Sequence, residues 1–287
     1  MRNFDIFGHL KNVCVIKNGE VIFEYTRENE KGTLLFPIGC IFKSFLSVLA
    51  GIAIYEGKIG SIDDCVIDYI SHEKIADMNW YRLKIKHALS KTTGITWPRP
   101  QEPLPINMRE VMELKFESEP GVSFQYKPDP QIIVYLLEEI YGLGITELFH
   151  AKVISNFVNK DYKWDKDDIQ GMEVSPFMLN ELGQLMLNKG EINKKRLFSE
   201  EYYNQSICEY SCGGIPECTP YGLGWWIGKN LEIPYFFASG FGGQYLTIIP
   251  RKKMIIRIIS DTDRPHPENT EYGKSDGCSS VCTLCQG

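Results

Sequence analysis

The sequence predicts an α+β fold, mixed α/β in content. One antiparallel sheet is drawn from both chain ends and flanked by helices, with a mainly helical subdomain inserted between its halves. Three observations predict it. β-rich runs with a hairpin signal open the chain, a long apolar helical stretch follows, and β-rich runs return towards the end.

Residues 13–16 and 21–25 are β-rich and flank Asn18-Gly19. Such a pair tolerates the positive φ angles of a two-residue hairpin turn. A loop rich in Glu, Lys and Gly leads to Phe36-Pro37-Ile38-Gly39-Cys40 and the apolar stretch 43–55. That stretch lacks proline, and Gly57 can close it as a C-cap. Its apolar residues lie nearly all round, which predicts a buried central helix.

Residues of about 61–205 read as helices and loops, with 132–141 and 176–188 the clearest helices. Pro98, Pro100, Pro103 and Pro105 mark a long irregular loop. Strand character returns in Gly222-Leu-Gly-Trp-Trp-Ile, in 245–249 and in 254–260, with Pro250-Arg-Lys-Lys turning between the last two. The sheet part of a domain 1–262 thus takes about 10–60 and 220–262, and 263–287 form a cysteine-containing tail.

The 287 residues, 43% hydrophobic and 24% charged, have the composition of a soluble globular protein with a sizeable core. Net charge is −6 and the basic residues are scattered, so neither nucleic acid nor a membrane is expected as partner. No apolar run has the length of a signal peptide or a membrane span, so a cytoplasmic protein is expected. Nine cysteines are then mostly thiols. Cys14 and Cys65 sit among apolar residues and read as small buried hydrophobes. Cys208, Cys212 and Cys218 cluster, and Cys278, Cys282 and Cys285 end the chain. The latter spacing occurs in zinc and iron–sulfur sites, but no fourth ligand stands nearby, so neither metal nor cofactor is expected. The tail reads as a polar segment or a docking or modification segment, and His266 as a loop residue.

Cys40-Ile-Phe-Lys43 carries the chemistry. A thiol and a lysine three residues apart at a helix start share one face. The ammonium and the helix N-terminus both favour a thiolate, which makes an activated nucleophile. By local spacing alone, a buried thiol beside a chance lysine is the better reading.

The surrounding blocks change that weighting. Phe36-Pro-Ile-Gly-Cys-Ile-Phe-Lys-Ser-Phe, Ile85-Lys-His-Ala-Leu-Ser-Lys-Thr-Thr-Gly-Ile, Ser175-Pro-Phe-Met-Leu-Asn-Glu-Leu-Gly-Gln-Leu-Met-Leu, Tyr221-Gly-Leu-Gly-Trp-Trp and Gly240-Phe-Gly-Gly-Gln stand in that order. Over about residues 10–262 they resemble the serine β-lactamase and penicillin-binding-protein superfamily, in its class C-like and esterase-like branch, with Cys40 where that family carries serine. The resemblance implies a β-lactamase/transpeptidase-like fold. It also implies Lys43 and Tyr126 as proton-handling partners of Cys40, and an oxyanion hole from the backbone N–H groups of Cys40 and Gln244. Phe241, Gly242 and Gly243 stand at the family's third motif and, with Trp97, are candidate substrate-binding residues. Lys127 and Pro128 replace small polar residues of the second motif, and Phe241 brings no charge. A cysteine engineered to trap an intermediate would sit at the same position, although the altered motifs speak for a natural change.

Two readings follow. The first is an acyl-transfer enzyme, hydrolase or transacylase, acting on an amide, ester or thioester of small-molecule or peptide size through a thioester at Cys40. The second is a non-catalytic binding protein that keeps the fold. The sequence assigns no oligomeric state.

Overall fold

The computed structural model describes residues 9–71, 75–99, 102–165, 168, 171–229 and 232–261. Its main sheet has eight strands: β1 (Leu10–Lys17), β2 (Glu20–Thr26), β3 (Ser211–Gly214), β4 (Thr219–Tyr221), β5 (Trp226–Gly228), β6 (Tyr235–Gly240), β7 (Gln244–Ile249) and β8 (Met254–Ser260). Their order is β2-β1-β8-β7-β6-β5-β4-β3, and the pairings are antiparallel. The expected sheet from both chain ends is therefore present. First and last strands lie side by side, with Val13 opposite Ile258 and Val15 opposite Ile256. Asn18 (φ 53°) and Gly19 (φ 84°) make the turn between β1 and β2, as their tolerance of left-handed backbone requires.

The central helix is Phe42–Tyr55, with every residue from Phe42 to Ala53 buried. It packs against the helices Pro130–Tyr141 and Ile145–Lys152, and Phe45 meets Phe149 edge-on at 5.2 Å between ring centroids. The helix Pro176–Leu187 lies on β7 and β8. Arg257, buried in the sheet, ties the two together by donating 2.8 Å bonds to the Pro176 carbonyl and to Asn180 Oδ1. Near β4–β6, Tyr221, Trp226 and Phe237 form a second apolar cluster, against which Phe124, Tyr235 and Tyr245 pack.

Three details differ from the sequence reading. Phe36–Pro37, Glu173–Val174 and Tyr162–Lys163 form a small three-stranded sheet, and Glu191–Ile192 pairs with Lys195–Arg196. Two-residue strands carry no period that a sequence could display. The run from Gly222 is divided: residues 222–225 turn between β4 and β5, with Gly224 at φ 80°, and Trp226 and Ile227 enter β5. Cys14 is buried as expected, but Cys65 is only partly so, its Sγ donating to the Tyr81 carbonyl at 3.3 Å. The tail 263–287, with His266, Cys278, Cys282 and Cys285, lies outside the described residues. Among the described residues no helix is long and apolar enough to cross a membrane.

Candidate active site

Cys40 sits in a single 3₁₀ turn, Gly39–Ile41, directly ahead of the central helix. The turn is clamped by the sheet. A Cβ added to Gly240 at the end of β6 would lie 2.1 Å from the Ile38 carbonyl oxygen, so only glycine lets strand and turn approach this closely. From the other side, Gly224 brings the β4–β5 turn against the Lys43 carbonyl, where Ser44 Oγ donates to the Gly224 oxygen at 2.7 Å.

Lys43 follows one helical turn after Cys40 and is only 7% exposed. Its Nζ donates to Tyr126 Oη at 3.2 Å and lies 4.8 Å from the centre of the Tyr126 ring. Lys43 and Tyr126 both favour the thiolate form of Cys40. Burial alone would push the Cys40 thiol up. The Lys43 charge and hydrogen bond, the Tyr126 bond and the charge of Lys91 together outweigh burial and hold it below the ordinary thiol value.

Tyr126 is braced by the sheet. Its ring stacks on Trp226 at 6.1 Å and 14°, and Trp226 meets Tyr221 edge-on at 4.6 Å. Phe124 leans on Tyr221 and Trp226. The second apolar cluster is thus the wall against which the phenol is set.

A second amine reaches this ring. Lys91 is fully buried, lies 4.3 Å from the Tyr126 ring centre and donates to the Lys127 carbonyl at 2.8 Å. Burial, and then the Lys43 charge, pull its pKa down to about 7, against the opposing pull of Asp129 and Cys40. Asp129 is itself buried and accepts bonds from Thr93 Oγ1 (2.8 Å) and Trp97 Nε1 (2.7 Å). Burial raises its pKa, against Lys91 and these donors. Sequence reasoning missed Lys91 and Asp129. Lys91 lies inside one of the blocks that carry the family resemblance, but nothing in its local spacing marks it. It takes a positive φ of 60°, and only the folded loop aims its chain beneath Tyr126.

The remaining sequence candidates are spread around this centre. Phe241 is half exposed beside the Cys40 turn, since a Cβ on Gly39 would lie 3.0 Å from the Phe241 nitrogen. Gly242 (φ 81°) and Gly243 (φ 86°) turn the chain from β6 into β7. Gln244 opens β7, which touches the Cys40 turn. The Gln244 side chain faces away from any oxyanion duty: its Nε2 donates to the Ser260 carbonyl at 2.9 Å, and its Oε1 accepts from the Ser260 N–H at 3.2 Å. Trp97 is buried, at 6% exposure, with its indole N–H committed to Asp129. The indole thus belongs to the buried cluster around Asp129. Among the described residues no group of His, Cys, Asp or Glu is placed to hold a metal ion.

The beta-lactamase family model matches residues 10–275. The chain belongs to the beta-lactamase family. Solved structures agree on the fold of this family member. The octameric penicillin-binding protein homologue from Pyrococcus abyssi superposes with a TM-score of 0.70 at 19% identity, covering 99% of this chain and 75% of that one. A family VIII carboxylesterase gives 0.73 at 14%, covering 99% and 94%. The penicillin binding protein from Bacillus halodurans gives 0.69 at 15%, covering 100% and 99%. No functionally curated sequence matches the chain.

Proposed function

We propose that the protein is an acyl-transfer enzyme with Cys40 as nucleophile. It would act in the cytoplasm on an amide, ester or thioester of small-molecule or peptide size. The observation that carries this reading is the buried Lys43 amine one helical turn beyond Cys40, bonded to the Tyr126 hydroxyl at 3.2 Å, where both groups favour the Cys40 thiolate. A merely buried thiol needs neither partner. The thiolate adds to the carbonyl carbon, and the backbone N–H groups of Cys40 and Gln244 hold the oxyanion. The bond to the leaving group breaks. The leaving atom takes a proton from the Lys43 ammonium by way of the Tyr126 hydroxyl, and a neutral thioester stays on Cys40. Lys43, now a free amine, accepts a proton from the water or amine that adds to the thioester. The Cys40 thiolate then leaves and the ion pair is restored.

Loss of the polar groups that Pro128 and Phe241 replace favours a thiol over a serine hydroxyl at this position. A thiolate is accessible near neutral pH with fewer helpers. Intact-mass measurement after exposure to nitrophenyl esters and alkyl thioesters tests the reading. One acyl adduct on the native protein and none on Cys40→Ala is expected. A native protein that takes no adduct from any donor would leave the chain a binding protein with the fold of an acyl-transfer enzyme.

A further inference from the structure

On β6 and β7, Phe236, Ala238, Leu246 and Ile248 enter the main core. Their alternating neighbours Tyr235, Phe237, Ser239, Tyr245 and Thr247 therefore share the face turned away from the central helix. Glu217, in the turn between β3 and β4, reaches over that face. Its Oε1 accepts from the buried Ser239 hydroxyl and, at 3.2 Å, from the Tyr245 hydroxyl. Its Oε2 accepts from none of the described residues. Among the described residues no lysine, arginine or histidine pairs with it: Lys229, which follows β5 next to Tyr235, pairs with Glu209 at 2.9 Å instead.

The carboxylate borders a cavity of about 260 Å³ lined by Glu217, Thr219, Tyr235, Phe237, Tyr245 and Thr247. Tyr235 stacks on Phe237 at 6.1 Å between centroids, and Phe237 leans on Tyr245 at 6.2 Å. A carboxylate held by two hydroxyls among aromatic rings repels an anion and attracts a cation, which gains from the charge and from the ring faces together. The cavity is also close to the nucleophile. Ser239 immediately precedes Gly240, whose backbone abuts the Ile38 carbonyl, and the Phe241 nitrogen lies beside Gly39. At about 3.3 Å per strand residue, the Glu217 carboxylate is on the order of 10 Å from the Cys40 turn, the reach of a short acyl chain. β5 pairs with β6 only at Tyr235–Phe237, so the next three residues of β6 carry a strand on the β7 side alone and leave a path between cavity and turn.

We infer that this cavity is a cation subsite for the acyl donor: an organic ammonium group, a short chain away from the reacting carbonyl, sits between Glu217 and the rings of Tyr235, Phe237 and Tyr245 while the carbonyl reaches Cys40. The inference rests on the acyl-transfer reading and names its substrate class. Ser239 and Tyr245 are positioning residues that aim the carboxylate. Phe241 brings no charge to the mouth of the site, so Glu217 supplies the sign that selects the donor.

The test compares two nitrophenyl esters of equal shape. One is the ester of ω-trimethylammoniohexanoic acid, and in the other a tert-butyl group replaces the trimethylammonium. Nitrophenolate release and intact mass give the rate of Cys40 acylation by each. Native protein is expected to prefer the cationic ester by about tenfold, and added salt should reduce the preference. Glu217→Gln keeps an acceptor for Ser239 and Tyr245 but no charge, and should bring the ratio close to one. Thr247→Lys, which places an ammonium in the cavity, should lower the ratio as well. Equal rates for the two esters in native protein, or a preference that survives Glu217→Gln, overturn the inference. The primary amides of the two acids, titrated calorimetrically into Cys40→Ala, separate binding from chemistry. The cationic amide is expected to bind about tenfold more tightly, and equal affinities overturn the subsite. Should native protein take no acyl group from either ester, the acyl-transfer reading falls by itself, and the titration still decides whether the cavity holds an ammonium group.

Discussion

The Lys43 amine donates to the Tyr126 hydroxyl at 3.2 Å, and both groups favour the thiolate of Cys40. Because they hold the thiol below its ordinary value, removing either raises it. Tyr126→Phe should slow iodoacetamide alkylation of Cys40 at pH 7 by about threefold to tenfold. Lys43→Met should slow it by about tenfold or more, since charge and bond go together. Both should approach the native rate as pH rises above about 9, where a free thiol ionises unaided. Equal rates for native protein and Lys43→Met at pH 7 would show that the pair does not activate the sulfur.

Gly240 is where the sheet and the Cys40 turn touch. Any side chain there would collide with the Ile38 carbonyl, at 2.1 Å for a bare Cβ. Gly240→Ala is expected to cost about 1–3 kcal/mol in urea unfolding and to slow Cys40 alkylation, because the turn must move away from β6. A folded Gly240→Ala protein with native stability would mean that the contact is soft.

The Gln244 side chain closes a buried pair of bonds with the Ser260 backbone. Gln244→Ala strips a carbonyl and an N–H of their partner at once. A loss of about 2 kcal/mol is expected on the rule that unsatisfied buried groups cost about 1–3 kcal/mol each, offset by local relaxation. Urea titration of the variant at pH 7 measures it directly.

His87 gives the fold a weak point in acid. Burial, and then Lys86 and Lys84, hold its pKa at about 4 against an ordinary 6.5, and its Nδ1 accepts the Lys84 N–H at 3.2 Å. Between these two values the unfolded chain binds more protons than the folded one, so stability rises with pH across that window and falls on acidification through it. The ring is only partly buried, which reduces the effect to about 1–2 kcal/mol between pH 7 and 4. His87→Asn keeps an acceptor for Lys84 without a titrating group, and should flatten that part of the urea midpoint against pH. An equally steep profile in the variant would assign the acid sensitivity elsewhere.

Local patterns in the sequence carry the outline of the fold and one axis of the site. The hairpin at Asn18-Gly19, the buried helix, and the runs at 245–249 and 254–260 are local patterns, and each element appears within a few residues of its expected bounds. Cys40 and Lys43 were legible for the same reason, since helical spacing alone puts them on one face. Tyr126 needed the family resemblance, because 83 residues separate it from Lys43. The rest depends on how distant segments pack. The run 222–225 became a turn because Gly224 has to meet the Lys43 carbonyl. Asp129 takes the Trp97 N–H, and the Gln244 side chain goes to the Ser260 backbone. Lys91 became part of the centre because a loop in left-handed backbone runs its amine under an aromatic ring fixed by Trp226. Burial and through-space charge belong to the packed arrangement, and no local stretch of sequence encodes them.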